Sequence, residues 1–137
     1  MPSFVADASV TLPWCFHDET TPFTDGLLSR LIAGEGIAVP AHWTAEVLNG
    51  VIKGKQRGRV DDSTIKQFFE SLRSFEISID EGSGLALFEK TRDLAERHRL
   101  TAYDAAYLEL AIRSGLPLAT LDDALRRAAT VERVVVL

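Results

Sequence analysis

Phe4-Val5-Ala6-Asp7 decides how this chain is to be read. Three consecutive apolar residues, without alternation, mark a short strand covered on both faces, as in a buried parallel sheet. The strand stops on an acid. Working outward, the same arrangement recurs. Ile37-Ala38-Val39 is a second apolar strand, closed by Pro40. Phe75-Glu76-Ile77-Ser78-Ile79 alternates apolar and polar residues and reads as a half-covered edge strand. Leu118-Ala119-Thr120-Leu121 is a fourth strand, followed at once by Asp122 and Asp123, and Val134-Val135-Val136 is a final one.

Helical signals fill the intervals. A segment near Ser9 to Phe16 is disturbed by Pro13. Thr21-Pro22 opens a helix with Thr as cap and Pro at the first position, and Phe23, Leu27, Leu28, Leu31 and Ile32 form its apolar face. Trp43 to Ile52 predicts a helix that the Gly and Lys/Arg stretch after it interrupts. Asp61 or Asp62 caps the next. Ser83 to His98, Thr101 to Ser114 and Asp122 to Ala129 complete the set. Strands alternating with helices predict a three-layer α/β/α sandwich around a mainly parallel sheet of about five strands, as a single domain over residues 1–137.

Composition bounds the function. The hydrophobic fraction of 46% and charged fraction of 26% are those of a soluble globule. The single Cys15 excludes an internal disulfide and a multi-Cys metal site, and its apolar neighbours make it a small core residue. Neither a signal peptide nor a run of ~20 apolar residues is present, so the expected compartment is the cytoplasm, without a membrane partner. The net charge of −5 argues against non-specific nucleic-acid binding. Local charge matters more, and Lys53, Lys55, Arg57 and Arg59 form one basic stretch, a solvated loop or a phosphate contact.

Four acids stand at strand ends or helix starts: Asp7, Glu46, Asp104 and Asp122, with Asp123 beside the last. Each has an ordinary explanation. Asp7 and one of Asp122 and Asp123 suit helix caps, the other of that pair then being free to face the strand edge. Glu46 suits a helix dipole, and Asp104 follows Thr101 at capping-box spacing. Their joint placement is not explained this way. The carboxyl edge of an open parallel sheet is where ligands bind. Two unit charges ~4 Å apart repel by about 4 kcal/mol at an effective dielectric near 20, so a cluster requires protonation or a cation. Hard oxygen ligands of this kind suit Mg²⁺ or Mn²⁺ rather than zinc. His17, His42 and His98 show no zinc-motif spacing, and no catalytic imidazole is expected.

The chain resembles a PIN domain over its whole length, and in particular a VapC-type toxin of a toxin–antitoxin pair. The resemblance is carried by Val5-Ala6-Asp7-Ala8-Ser9, Ala45-Glu46-Val47-Leu48-Asn49, Thr101-Ala102-Tyr103-Asp104-Ala105-Ala106-Tyr107 and Leu118-Ala119-Thr120-Leu121-Asp122, in that order. It implies a Mg²⁺-dependent endoribonuclease, with Mn²⁺ able to substitute. Asp7, Glu46, Asp104 and Asp122 are then the metal-binding and catalytic acids. It further implies supporting roles for Ser9, Asn49 and Thr120, a homodimer, and an antitoxin partner whose C-terminal segment covers the site. Asp123 substitutes for Asp122 or assists through water.

The expected chemistry is hydrolysis of RNA. Tyr103 and Tyr107 are candidates to stack on bases, against burial in the helix packing. An aspartate-nucleophile phosphatase requires an acid where Ser9 stands. A phospho-receiver domain requires a second acid beside Asp7, where Ala6 and Ala8 stand. The competing function is a non-catalytic PIN-fold module that binds RNA or protein.

Overall fold

The computed structural model describes residues 1–82 and 84–137. Four strands form one sheet: β1 (Pro2–Ala6), β2 (Gly36–Pro40), β3 (Ile77–Asp80) and β4 (Leu118–Ala119). Their order is β3-β2-β1-β4, and every pairing is parallel. The apolar run Phe4-Val5-Ala6 occupies the middle of the sheet and is fully buried. The alternating segment supplies β3, which lies at one edge with Ser78 and Ile79 exposed.

Seven α-helices accompany the sheet among the described residues. These are α1 (Ala8–Thr11), α2 (Pro22–Ile32), α3 (Trp43–Gln56), α4 (Asp62–Ser74), α5 (Phe88–His98), α6 (Ala102–Ser114) and α7 (Asp123–Val131). Helices cover both faces of the sheet, giving the three-layer α/β/α sandwich. Helix α6 crosses β1 and β2 and has α5 and α7 beside it, while α1 and the 3₁₀ turn Leu12–Trp14 pack against α3.

The local signals explain most boundaries. Thr21 caps α2 in a reciprocal capping box with Thr24. Asp61, not Asp62, caps α4, and Thr101 caps α6. Gly115 ends α6 in the left-handed region at φ 68°.

Three expectations need correction. The predicted final strand at Val134–Val136 is a single parallel bridge from Val136 to Leu118, because β4 has only two residues to pair with. Among the described residues the sheet therefore has four strands, not about five. The predicted long helix from Ser83 begins instead as a 3₁₀ turn at Gly84–Leu87 before α5, and Ser83 itself lies outside the described residues. Helix α3 does not break near Ile52 but runs on to Gln56. Gly54 is buried inside it, and a Cβ there would stand 2.3 Å from Phe16 Cε1. One turn earlier, a Cβ on Gly50 would stand 2.5 Å from Leu12 Cδ1. The two glycines let the chain after α1 lie against the α3 backbone, so close approach outweighs their poor helix propensity.

Candidate active site

The carboxyl ends of β1 and β4 lie side by side, with Asp7 N–H donating to Ala119 O at 3.2 Å. Asp7 is only 4% exposed. It caps α1 by accepting from Val10 N–H at 3.3 Å, and Ser9 Oγ donates to the same Oδ1 at 2.6 Å. Thr120 donates its hydroxyl to the other oxygen, Oδ2. Ser9 and Thr120 also bind the turn after β4: Ser9 Oγ accepts from Leu121 N–H at 2.8 Å and Thr120 Oγ1 from Asp122 N–H at 3.1 Å. The two hydroxyls thus lock the ends of β1 and β4 together around one carboxylate.

The remaining acids come from helix starts. Asp104 lies in the first turn of α6. Its N–H is capped by Thr101 Oγ1 at 3.1 Å, and its own carboxylate accepts no hydrogen bond among the described residues. Asp122 caps α7, accepting from Leu125 N–H at 2.8 Å. Glu46, in the first turn of α3, accepts from the Tyr107 hydroxyl at 2.6 Å, and His42 Nε2 lies 3.2 Å from the same oxygen.

These charges act on one another. Burial holds the Asp7 carboxyl well above its usual value, at about 6; hydrogen bonds from Ser9, Thr120 and Val10 oppose the rise, and the Asp104 charge adds to it. Asp104 is likewise pushed up, first by burial and then by Asp122 and Glu46, with His42 opposing. Burial also pushes Glu46 up, but hydrogen bonds from His42 and Tyr107 outweigh it and bring its pKa below the ordinary value. Among the described residues no Lys or Arg pairs with any of the four acids.

Whether a cation suits these residues follows from the donor set. All four acids present hard oxygens, and among the described residues the most buried of them has only hydroxyl and amide partners to offset its charge. Among the described residues, however, no three His, Cys, Asp or Glu side chains are drawn close enough to hold an ion in common. The acids are near enough to raise one another's pKa without forming one tight coordination set. That fits an ion such as Mg²⁺, which keeps several of its waters and takes few carboxylates directly.

The other predicted residues divide. Ser9 and Thr120 are inside the site. Asn49 is exposed on α3, and Asp123 is exposed in the first turn of α7. The sequence reading assigns capping and facing the edge to different members of the Asp122–Asp123 pair. In the structure Asp122 does both, since it caps α7 and is also the charge that acts on Asp104. Tyr107 is buried at 1% exposure, whereas Tyr103 is 63% exposed with its ring 5.6 Å from that of His42. Of the basic stretch, Lys55 pairs with Asp62 at 2.6 Å and Arg59 with Asp18 and Glu19, while Lys53 and Arg57 face solvent.

Two residues beside Glu46 were not assigned a role there by sequence. His42 lacks zinc-motif spacing, yet it is the N-cap of α3 and stands four residues before Glu46 in the first turn, a separation that brings side chains together. Tyr107 gave a fainter signal, a tyrosine within an apolar helix whose hydroxyl requires a partner.

A family model described as PIN domain matches residues 4–131. The chain therefore belongs to the PIN domain family, generally a nuclease fold that uses divalent metal ions. Among curated proteins none matches, while seven chains among the solved structures do. One is the crystal structure of PAE2754 from Pyrobaculum aerophilum. It superposes with a TM-score of 0.69 at 25% identity, covering 93% of this chain and 79% of that one. No helix among the described residues is long and apolar enough to cross a membrane.

Proposed function

We propose that this PIN-domain protein is a Mg²⁺-dependent endoribonuclease, with Mn²⁺ able to substitute, and that Asp7, Glu46, Asp104 and Asp122 hold the ion. The observation that carries this reading is Asp7: a nearly buried carboxylate without a cationic side chain against it among the described residues, its pKa raised by burial and by Asp104. When bound, the ion lowers the pKa of a water and offsets charge on the phosphate.

The chain's own residues supply the frame. Ser9 and Thr120 fix both oxygens of Asp7. The Asp104 carboxylate, which accepts no hydrogen bond among the described residues, is available to an ion or to its waters. Asp122 adds charge from the cap of α7. Tyr103, exposed one residue before Asp104, offers an aromatic face to an unpaired base. Cleavage by in-line attack leaves a 5′-phosphate and a 3′-hydroxyl.

Incubation with structured RNAs in Mg²⁺, Mn²⁺ or EDTA, beside Asp7→Asn, tests the activity. Cleavage with metal only, absent in the variant, is the expected result. A second reading, a non-catalytic RNA- or protein-binding module, is favoured by the spacing of the acids, which are not gathered into one coordination set. RNA binding indifferent to EDTA, without cleavage in any metal, would support it.

The finer proposal is a cytoplasmic, homodimeric toxin silenced by a partner antitoxin. Expression without an antitoxin then arrests growth and Asp104→Asn relieves the arrest. Unaffected growth would reject the toxin role and leave nuclease activity standing.

A further inference from the structure

Tyr107 is buried on α6, three residues after Asp104, and its hydroxyl donates to Glu46 Oε1 at 2.6 Å. The donor and acceptor are 61 residues apart. Burial, first, and then the hydrogen bond to Glu46 and the charges of Glu46, Asp7 and Asp104 push the phenol pKa upward. Facing a carboxylate oxygen that can only accept, the Tyr107 hydroxyl is the donor. A buried tyrosine hydroxyl needs a partner, and here the partner is a carboxylate, which makes the bond charge-assisted and stronger than a neutral one.

His42 lies beside the same oxygen, with its Nε2 paired to the Tyr103 carbonyl. Its Nε2 lies 3.2 Å from Glu46 Oε1 and 3.1 Å from Tyr103 O. An ionised carboxylate and a backbone carbonyl can only accept, so this geometry requires a hydrogen on Nε2. The imidazole also meets the Tyr107 ring edge-on, with centroids 5.1 Å apart. Glu46 Oε2, by contrast, accepts no hydrogen bond among the described residues.

We infer that Tyr107 and His42 are positioning residues: they fix Oε1 of Glu46 and leave Oε2 as the oxygen available to a cation. This rests on the reading of the acids as a metal-dependent nuclease site. An unanchored glutamate has three side-chain torsions to distribute among rotamers. The Tyr107 hydroxyl bound to Oε1, with His42 Nε2 packed 3.2 Å from the same oxygen, restricts that freedom. Helix α6 thus contributes one acid, Asp104, and through Tyr107 orients a second acid from α3.

Tyr107→Phe keeps the buried ring and removes only the hydroxyl. The experiment measures the rise in melting temperature as Mn²⁺ is titrated, and steady-state RNA cleavage. Apparent Mn²⁺ affinity and kcat should each fall about 10- to 100-fold, the range seen when groups that orient metal ligands are removed. KM for RNA should hold. His42→Ala, a change at a half-buried residue, should shift both in the same direction by a smaller factor, and it carries the test alone if Tyr107→Phe does not fold. A variant that melts lower without metal, yet binds Mn²⁺ and turns over like the parent, would overturn the proposal and leave both residues structural. If the parent chain gains no stability from Mn²⁺ and cleaves nothing, the metal reading itself falls, and the role of Glu46 with it.

Discussion

Thr120 donates its hydroxyl to Asp7 across 113 residues of sequence, joining the end of β4 to the end of β1. Both oxygens of Asp7 have a partner, yet among the described residues none of the three partners carries a positive charge. Folding has therefore buried an acid whose charge is solvated by hydroxyls and one amide. Several consequences of that burial can be measured.

Asp7→Asn removes the buried charge. A rise from 3.8 to about 6 corresponds to about 3 kcal/mol against the ionised folded state at neutral pH. Without metal, at pH 8, the variant should melt several degrees higher than the parent, less whatever its altered hydrogen bonds with Ser9 and Thr120 cost. Cleavage should fall about 100-fold or more, the scale of losing one charge-stabilising group. Differential scanning calorimetry and a cleavage assay read the two effects.

The pH dependence has a definite sign. Between about 4 and about 6 the folded state holds a proton on Asp7 that the unfolded state has lost. This group's contribution to metal-free stability is therefore fully present below pH 4. It is lost as pH rises through about 6, and the upward shift of Asp104 acts in the same direction. A cation requires the ionised form, so stabilisation by Mn²⁺ should grow over the same interval. Melting curves from pH 4.5 to 8, with Mn²⁺ and with EDTA, should converge at the acid end and separate above pH 6.

Thr120→Val keeps the shape of the side chain and deletes the hydroxyl. The Thr120 bond lowers the Asp7 pKa, so its loss should move the pH midpoint of Mn²⁺ stabilisation upward. Asp122 N–H also loses its acceptor. A loss of about 1–3 kcal/mol in stability is expected, measurable by urea unfolding.

Gly54→Ala tests the packing of α3. The new Cβ would stand 2.3 Å from two carbons of the Phe16 ring, which is itself buried with the Arg59 guanidinium 4.8 Å from its centroid. Chain or ring must move, at a cost of about 1–3 kcal/mol. That outweighs the better helix propensity of alanine. Urea unfolding should show a lower midpoint with an unchanged slope.

Tyr103→Ala examines substrate contact rather than chemistry. Stacking of a base on an aromatic face is worth about 1–3 kcal/mol. KM for single-stranded RNA should rise about 5- to 100-fold, with kcat and Mn²⁺ affinity retained, and Tyr103→Trp should restore it. Steady-state kinetics on a short unpaired oligonucleotide decides.

The frame of the molecule was legible where local chemistry dictates structure. Phe4-Val5-Ala6 could be a buried central strand on composition alone. Thr21-Pro22, Asp61 and Thr101 are caps, and Gly115 is a stop, because each residue type solves a terminus problem within a few positions. Legibility failed where the deciding partner is distant. Gly54 reads as a breaker unless Phe16 is known to lie against it, and Val134-Val135-Val136 reads as a strand until β4 proves too short to pair with it. In the site, the four acids were visible as a pattern. The links from Tyr107 to Glu46 and from Thr120 to Asp7 were not, since they span 61 and 113 residues.

Crystals grown with Mn²⁺ at pH 7.5 and measured at an anomalous wavelength test the central claim most directly. A difference peak between Asp7 and Asp104, with Glu46 and Asp122 as ligands or one water away, is the predicted result. A map without a peak there, with the four carboxylates unmoved at saturating Mn²⁺, would contradict it.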